Sequence, residues 1–245
     1  VAYDEQPDQI SAASAEITRR ITGRLVPVPS SMELAGASAI EEVATYYNEQ
    51  FDEQFGGLRG TQKFPSGMSI RLLLRQHRRT GDARAIDMAT RTLERMAGGG
   101  MYDQIGGGFH RYSTDAQWLV PHFEKMLYDN ALLVKLYLHA HQVTGDQSYR
   151  TVVEETLEYI KREMTSPEGG FYSAQDADSE GVEGKFFIWR PEQIVKLLGD
   201  ERGNVVNRHY GVTNVGNFEG RTILHVRHSV QETSVHFGIS ENETQ

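Results

Sequence analysis

Apolar residues recur at helical spacing along most of the chain. Ile10, Ala13, Ile17 and Ile21 mark a first helix, and Ile40, Val43, Ala44, Tyr47 and Phe51 mark a second. The same spacing predicts two further pairs of helices, at about 69–79 with 83–97 and at about 118–143 with 147–164.

Turn signals divide these helices into repeated units. Thr-Gly-Asp occurs at 80–82 and again at 144–146, each time between two apolar helical patterns. The glycine is typical of the position after a helix end, and the aspartate is typical of an N-cap region. Gly-Gly followed by an apolar residue recurs at 56–58, 107–109 and 169–171. Each unit is therefore predicted to be a helix, a tight turn, a second helix and a glycine loop.

The pattern changes after Gly170. FYSAQDAD and GKFFIW flank the turn-rich SEGVEG, which predicts a β-hairpin between 171 and 189. A short helix is predicted at 191–198, and a loop and strand at 217–226. Paired helices in units of about 50 to 60 residues favour an α/α toroid over an α-solenoid, whose repeats are usually about 34 to 47 residues long. The predicted fold class is all-α, a partial toroid with a small β-hairpin insertion.

Composition excludes several classes of function. The 245 residues include 25 basic and 34 acidic side chains, a formal charge of −9, which argues against a nucleic-acid partner. The densest basic stretch, 75–79, is interpreted as a solvated helix end. No apolar run approaches a membrane span, and the first ten residues lack signal-peptide features, so we expect no membrane association and a cytoplasmic location. The chain has no cysteine, which excludes disulfides and thiolate chemistry within it.

Polar side chains are concentrated at the start of the helix predicted over 118–143, with Pro121 as its first helical residue. Helical geometry would place His122, Lys125 and Asp129 within one arc, and Glu124 and Tyr128 on a second stripe. In the functional interpretation, His122 is a general acid/base with Lys125 and Asp129 as its electrostatic support. In the structural alternative, Lys125 and Asp129 form an i,i+4 pair and His122 caps the helix.

His110, Arg111 and Tyr112 follow the triple glycine at 106–108. Glycine permits close backbone approach, so these side chains could turn into the mouth of a cavity, where Arg111 would suit a carboxylate-bearing ligand. The alternative is a loop in which Arg111 pairs with Asp103 or Asp115. Among the nearby aromatic residues, Trp118 is the one expected to face a ligand.

The segment 175–183 contains Gln175 and several acidic residues. DADSEG resembles the first positions of a calcium loop, but Phe187 stands where that loop requires a bidentate glutamate, so neither a metal nor a cofactor is predicted. If the segment is a strand, Asp176 and Asp178 point the same way and could perform acid/base work on a sugar. Otherwise they are turn residues bonded to their own backbone.

Four strings carry a family resemblance: KFP at 63–65, YDQIGGGFHRYSTD at 102–115, WLVPHFEKMLYDNA at 118–131 and FYSAQDADSEGVEG at 171–184. Over about 35–228 the chain resembles the helical region of the thioredoxin-domain-containing family that includes spermatogenesis-associated protein 20. The resemblance implies a six-hairpin (α/α)6 barrel, as in N-acylglucosamine 2-epimerases and several glycosidases. The chain departs from that pattern in lacking the thioredoxin-like domain and in being too short for a full ring, so it resembles the first half or so of a barrel. The predicted domains are an N-terminal helix and linker at 1–34 and a partial barrel at 35–245.

Two functions remain open. The first is a carbohydrate-active or carbohydrate-binding barrel, related to sugar epimerases or glycoside hydrolases. Its predicted catalytic residues are His122, Asp176 and Asp178, and its predicted substrate-binding residues are His110, Arg111, Tyr112, Trp118, Glu124, Lys125, Tyr128, Asp129 and Gln175. The alternative is a non-catalytic interaction module normally attached to a thioredoxin-like domain. An incomplete barrel would favour a homo-oligomer or a partner chain that completes it.

Overall fold

The computed structural model describes residues 6–25, 36–65 and 67–244. The chain divides into two compact units with the boundary between Ala39 and Ile40. The first unit contains helix α1, Pro7–Leu25, along which Glu16 pairs with Arg19 and Arg20. None of the helices in the described residues is long and apolar enough to cross a membrane.

Most of the remaining structure is helical, as the apolar spacing predicts. The helices are α2 (Ala37–Gln50), α3 (Gly67–Thr80), α4 (Ala83–Gly98), α5 (Leu127–Thr144), α6 (Gln147–Glu163), α7 (Pro191–Leu198), α8 (Asp200–His209), α9 (Val230–Phe237) and α10 (Glu241–Thr244). Helices α8, α9 and α10 are not among the elements predicted from the sequence. One boundary also differs, since the helix predicted from residue 118 begins at Leu127. Residues 118–126 instead form extended backbone and turns, because they pair with other loops.

The Thr-Gly-Asp turns have the predicted geometry. Gly81 and Gly145 have φ angles of 74° and 77°, the left-handed conformation that follows a helix end. Asp82 accepts hydrogen bonds from the backbone N–H groups of Arg84 and Ala85, and Asp146 accepts one from that of Ser148. These caps satisfy N–H groups that helix starts leave unpaired, so each turn joins two antiparallel helices.

Two helical hairpins form the main core. Helix α3 packs on α4, α5 packs on α6, and α3 also packs on α5. The C-terminal ends of α3 and α5 line one cleft, so the two helices run in the same direction. The buried cluster between the hairpins includes Leu73, Leu93 and Leu136. Parallel neighbouring helices backed by antiparallel partners are the arrangement of an α/α toroid.

Short strands connect the loops at one end of the hairpins. The pairs, all antiparallel, are β1 (Tyr112–Ser113) with β2 (Pro121–His122), β3 (Lys125–Met126) with β4 (Ala174–Gln175), β5 (Asp178–Ser179) with β6 (Val182–Glu183), and β7 (Ile188–Trp189) with β8 (Thr222–Ile223). The hairpin predicted between 171 and 189 is therefore confirmed only as β5–β6. The flanking strands β4 and β7 pair with distant segments.

The first two Gly-Gly loops are copies of one structure. The N–H of Asp52 donates to the carbonyl of Gly57 and that of Asp103 to the carbonyl of Gly108, at 2.9 and 3.0 Å. Gly107 has a φ of 73°, and a Cβ added there would lie 2.7 Å from the carbonyl oxygen of Glu155. Only glycine combines that conformation with so close an approach, so the loop can pack directly on α6.

Candidate functional site

Residues 110–112 and 122–126 lie side by side as extended chain. The N–H of Arg111 donates to the carbonyl of Glu124 at 2.8 Å. Because side chains alternate along extended backbone, His110 and Lys125 point inward and are about 1% exposed, whereas Arg111 and Glu124 point outward. His122 also lies on the outer face, with 31% of its side chain exposed. The predicted arc of His122, Lys125 and Asp129 is therefore wrong, because this segment is extended rather than helical.

The outer face gathers ionisable groups around His122. His122 Nδ1 lies 2.8 Å from Glu183 Oε1, and Nε2 lies 3.8 Å from Glu124 Oε2. Arg111 Nη1 donates to the same Glu124 oxygen at 2.9 Å, which raises the pKa of the guanidinium. We call His122, Glu124, Glu183 and Arg111 the His122 cluster.

The first turn of α5 borders this cluster. Tyr128 is half exposed, and its hydroxyl group adds to the raised pKa of Arg111. Partial burial raises the pKa of Asp129; Arg111 opposes that shift and Glu124 adds to it. Five of the predicted site residues thus lie together, although Arg111 pairs with Glu124 rather than with either aspartate considered in the sequence.

Aromatic rings extend the cluster on one side. The rings of Phe64 and Tyr112 stack with centroids 4.8 Å apart, and the Tyr112 ring lies 5.3 Å from that of His122. Phe64 is 58% exposed. Phe64 is not among the residues predicted for the site. No local pattern identifies it, because β1 and the KFP segment are brought together by the bridge between Lys63 and Ser113, which are far apart in sequence.

The predicted carboxylates of the 175–183 segment lie at the rim. Asp176 Oδ1 accepts the N–H of Asp178 at 3.1 Å, which is the turn geometry considered as the alternative. Asp178 lies opposite Glu183 in the β5–β6 pair and is exposed, as is Asp176. Glu183, rather than either aspartate, reaches His122.

The inner face lines a cavity of about 320 Å³. Lys125 is buried there, and its ammonium group donates to Asp103 Oδ2 at 2.7 Å and to the carbonyl of Gly107 at 2.9 Å. The predicted alternative pair of Lys125 with Asp129 is wrong, because the strand turns Lys125 away from α5. The ammonium group also lies 4.3 Å from the centre of the Tyr159 ring. Lys125 therefore has its charge compensated within the protein.

His110 and Gln175 complete the polar lining of this cavity. Burial, together with the Lys125 ammonium, lowers the pKa of His110 to about 3, so the ring is neutral at pH 7. Its Nδ1 lies 2.9 Å from the carbonyl oxygen of Phe123, which can only accept, so the proton is on Nδ1. Gln175 Oε1 accepts the hydroxyl of Tyr159 at 2.8 Å.

Trp118 belongs to the core and not to either face. It is 1% exposed, and its Nε1–H donates to the carbonyl of Phe55 at 3.0 Å. The expectation that Trp118 faces a ligand is wrong in this structure. The ring packs over the buried ammonium of Lys63 at 5.8 Å, which explains why an indole occurs beside polar motifs.

Comparisons with known proteins identify relatives and fold. No protein-family model matches the chain. The chain is 39% identical over 221 residues to human spermatogenesis-associated protein 20, covering 78% of this chain and 28% of that protein. It is 36% identical over 241 residues to the mouse protein of the same name, covering 86% of this chain and 30% of that protein. The chain thus spans less than a third of the length of the curated relatives it matches.

Solved structures with a similar fold are sugar epimerases. A cellobiose 2-epimerase from Spirochaeta thermophila matches with a TM-score of 0.50 and 18% identity, over 57% of this chain and 39% of that chain. A sugar epimerase from a ruminal bacterium matches with a TM-score of 0.51 and 15% identity, over 71% and 55%. At these identities the match shows the fold, and the predicted α/α toroid is confirmed.

Proposed function

Because this chain is a homologue of spermatogenesis-associated protein 20 and folds as part of an α/α toroid, we propose that it binds carbohydrate at the His122 cluster. The observation that carries the proposal is the position of His122, which Glu183 holds at Nδ1 beside the stacked rings of Phe64 and Tyr112. Exposed rings stack on the apolar faces of sugars, and the charged groups beside them can bind hydroxyl groups. The sugar epimerases of the same fold add support.

His122 is the group we assign to proton transfer. Glu183 holds Nδ1 and so leaves Nε2 to act on a substrate, the arrangement in which a carboxylate orients a histidine base. Nε2 would take the proton from the carbon next to the carbonyl of an open-chain sugar and return it to the same carbon. Arg111 would stabilise the negative oxygen formed between these steps. We assign no proton transfer to the other two predicted catalytic residues: Asp178 lies at the rim of the His122 cluster, and Asp176 is a turn residue.

Thermal unfolding in the presence of mono- and disaccharides tests binding. A ligand at 100 times its dissociation constant adds about 2.7 kcal/mol to the free energy of unfolding. We expect one sugar class to raise Tm, His122→Asn to abolish the shift, and His236→Asn to leave it intact. His236 is an exposed histidine on α9, remote in sequence from the cluster, and serves as the matched control.

Solvent exchange tests the proton transfer. The sugar that raises Tm is incubated in D2O, and deuterium at the carbon next to the carbonyl is measured by NMR. We expect exchange with the wild-type chain and with His236→Asn, and none with His122→Asn. If no sugar raises Tm, the proposal is wrong and the non-catalytic interaction module becomes the better explanation. Binding without exchange would retain a carbohydrate-binding function and remove the assignment of His122 as a base.

A further inference from the structure

Helices α3 and α5 form a positively charged surface in a negatively charged protein. Helix α3 contains Arg71, Arg75, Arg78 and Arg79 and no acidic residue, and α5 contains one acidic residue, Asp129, in its first turn. The chain as a whole carries a formal charge of −9. The basic stretch 75–79 is therefore more than a solvated helix end, because the packing of α3 on α5 adds Lys135 and His139 to the same surface.

His139 lies within electrostatic reach of Arg71, Arg75 and Lys135. Partial burial lowers the pKa of His139, and the charges of Arg71, Lys135 and Arg75 lower it further. Among the described residues, no carboxylate forms an ion pair with any of these three cations. Arg71 Nε is shielded from solvent and has no hydrogen-bond partner within the described part of the chain. We call Arg71, Arg75, Lys135 and His139 the cationic face.

An uncompensated group of like charges is unfavourable for folding, since each charge raises the energy of its neighbours. Some exposed arginines elsewhere do have acidic partners, such as Arg84 with Glu53 and Arg150 with Glu154. An unpartnered, shielded guanidinium N–H adds a further cost. An anion that binds both α3 and α5 would offset both the repulsion among these charges and the cost of the unpartnered N–H.

The cationic face is continuous with the His122 cluster. Tyr128, Leu132, Lys135 and His139 follow one stripe of α5, at positions i, i+4, i+7 and i+11. Tyr128 lies near Arg111 at the N-terminal end of that stripe. Lys135 lies seven residues further, about 10 Å along the helix axis. A ligand bound at His122 would need to be an oligomer to reach the cationic face.

We propose that the substrate class of this site is an acidic oligosaccharide, with one sugar at the His122 cluster and a carboxylate or sulfate group further along bound by Arg71, Arg75 and Lys135. This inference rests on the proposed function. Guanidinium groups pair with carboxylate and sulfate oxygens through their planar donor fork, and Lys135 supplies a point charge beside them.

Titration calorimetry with two trisaccharides tests the inference. The probes are trigalacturonate, which is acidic, and cellotriose, which is neutral. We expect trigalacturonate to bind the wild-type chain at least about tenfold more tightly than cellotriose, with an advantage that shrinks as salt is added. The double variant Arg75→Gln/Lys135→Gln should lose that advantage. The Lys161→Gln variant, which removes one exposed charge on α6, should retain it. Circular dichroism verifies that each variant is folded.

The outcomes separate this inference from the proposed function. If cellotriose binds as tightly as trigalacturonate, or if the double variant keeps the preference for the acidic sugar, the inference is overturned while carbohydrate binding stands. If neither sugar binds, the proposed function fails as well. A short polyglutamate peptide is the third probe. If it binds and trigalacturonate does not displace it or bind, the cationic face is a docking surface for an acidic protein segment and the saccharide inference is wrong.

Discussion

Lys63 and Lys125 occupy equivalent positions in two copies of one loop. Lys63 Nζ donates to Asp52 Oδ2 at 2.6 Å and to the carbonyl of Gly56, just as Lys125 donates to Asp103 and to Gly107. Both side chains are about 1% exposed, and each ammonium group lies near an aromatic ring. The copy at Lys63 does not line the inner cavity, so the repeated arrangement explains Lys125 as a structural residue that closes a loop.

Removing either lysine should therefore destabilise the protein to a similar extent. Lys63→Met and Lys125→Met each leave a largely buried aspartate without its partner, and the loss of one member of such a pair typically costs about 3 to 5 kcal/mol. Urea unfolding would measure this loss in the free energy of unfolding. Combining Lys125→Met with Asp103→Asn should recover part of the loss. A Lys125→Met protein as stable as the wild type would contradict the structural assignment.

The free energy of unfolding should decrease in acid, because the pKa shifts of Asp103 and His110 both destabilise the folded state as pH falls. Burial raises the pKa of Asp103, but the Lys125 ammonium and the N–H of Gly106 outweigh burial and hold it below its ordinary value. Burial lowers the pKa of His110 to about 3. Both pKa values are lower in the folded state than in the unfolded state, so the unfolded chain binds more protons as pH falls. The stabilisation is complete above the unfolded pKa and is lost towards the folded pKa.

Denaturant unfolding between about pH 7 and pH 3 checks this prediction. Each such proton changes the free energy of unfolding by up to about 1.4 kcal/mol per pH unit. The contribution of His110 should begin near its unfolded pKa of about 6.5, before that of Asp103 near about 3.9. His110→Gln should flatten the upper part of the profile. An unchanged profile in that variant would show that His110 is not buried in its neutral form.

The glycine loops allow a matched pair of substitutions. Gly107→Ala would force a side chain into a left-handed conformation and against the carbonyl of Glu155, 2.7 Å away. Gly169 in the third loop also has a positive φ, 85°, but a Cβ there meets nothing within 4 Å. Gly169→Ala should cost about 1 kcal/mol, the usual cost of the conformation alone, and Gly107→Ala substantially more. Equal losses in urea unfolding would be evidence against the close packing of the loop on α6.

Fluorescence can check the placement of Trp118. The chain has two tryptophans, so Trp189→Phe leaves Trp118 as the only indole. Because Trp118 is 1% exposed, its emission should be shifted to the blue and should resist quenching by iodide. The emission should also stay unchanged when a sugar raises Tm. Strong quenching would restore Trp118 as a ligand-facing residue.

Local sequence patterns specify the helical hairpins. Apolar residues at a period of 3.6 placed α3 to α6, and the two Thr-Gly-Asp turns placed the ends of α3 and α5 within a residue or two, because helix periodicity and capping are local properties. The sequence also singled out Arg111, Tyr112, His122, Glu124, Tyr128 and Asp129 as candidates. It did not predict their grouping, because helical geometry put His122 and Glu124 on separate stripes.

Long-range contacts determine whether each of these side chains lies on the outer or the inner face of the loop. Strands of two residues leave no periodic pattern, so the extended conformation of 121–126 depends on its pairing with 112–113 and 174–175. That pairing turns His122 outward to Glu183 and Lys125 inward to Asp103, partners far from them in sequence. Local propensity cannot specify such contacts, because their energy depends on which distant segments the folded helices bring together.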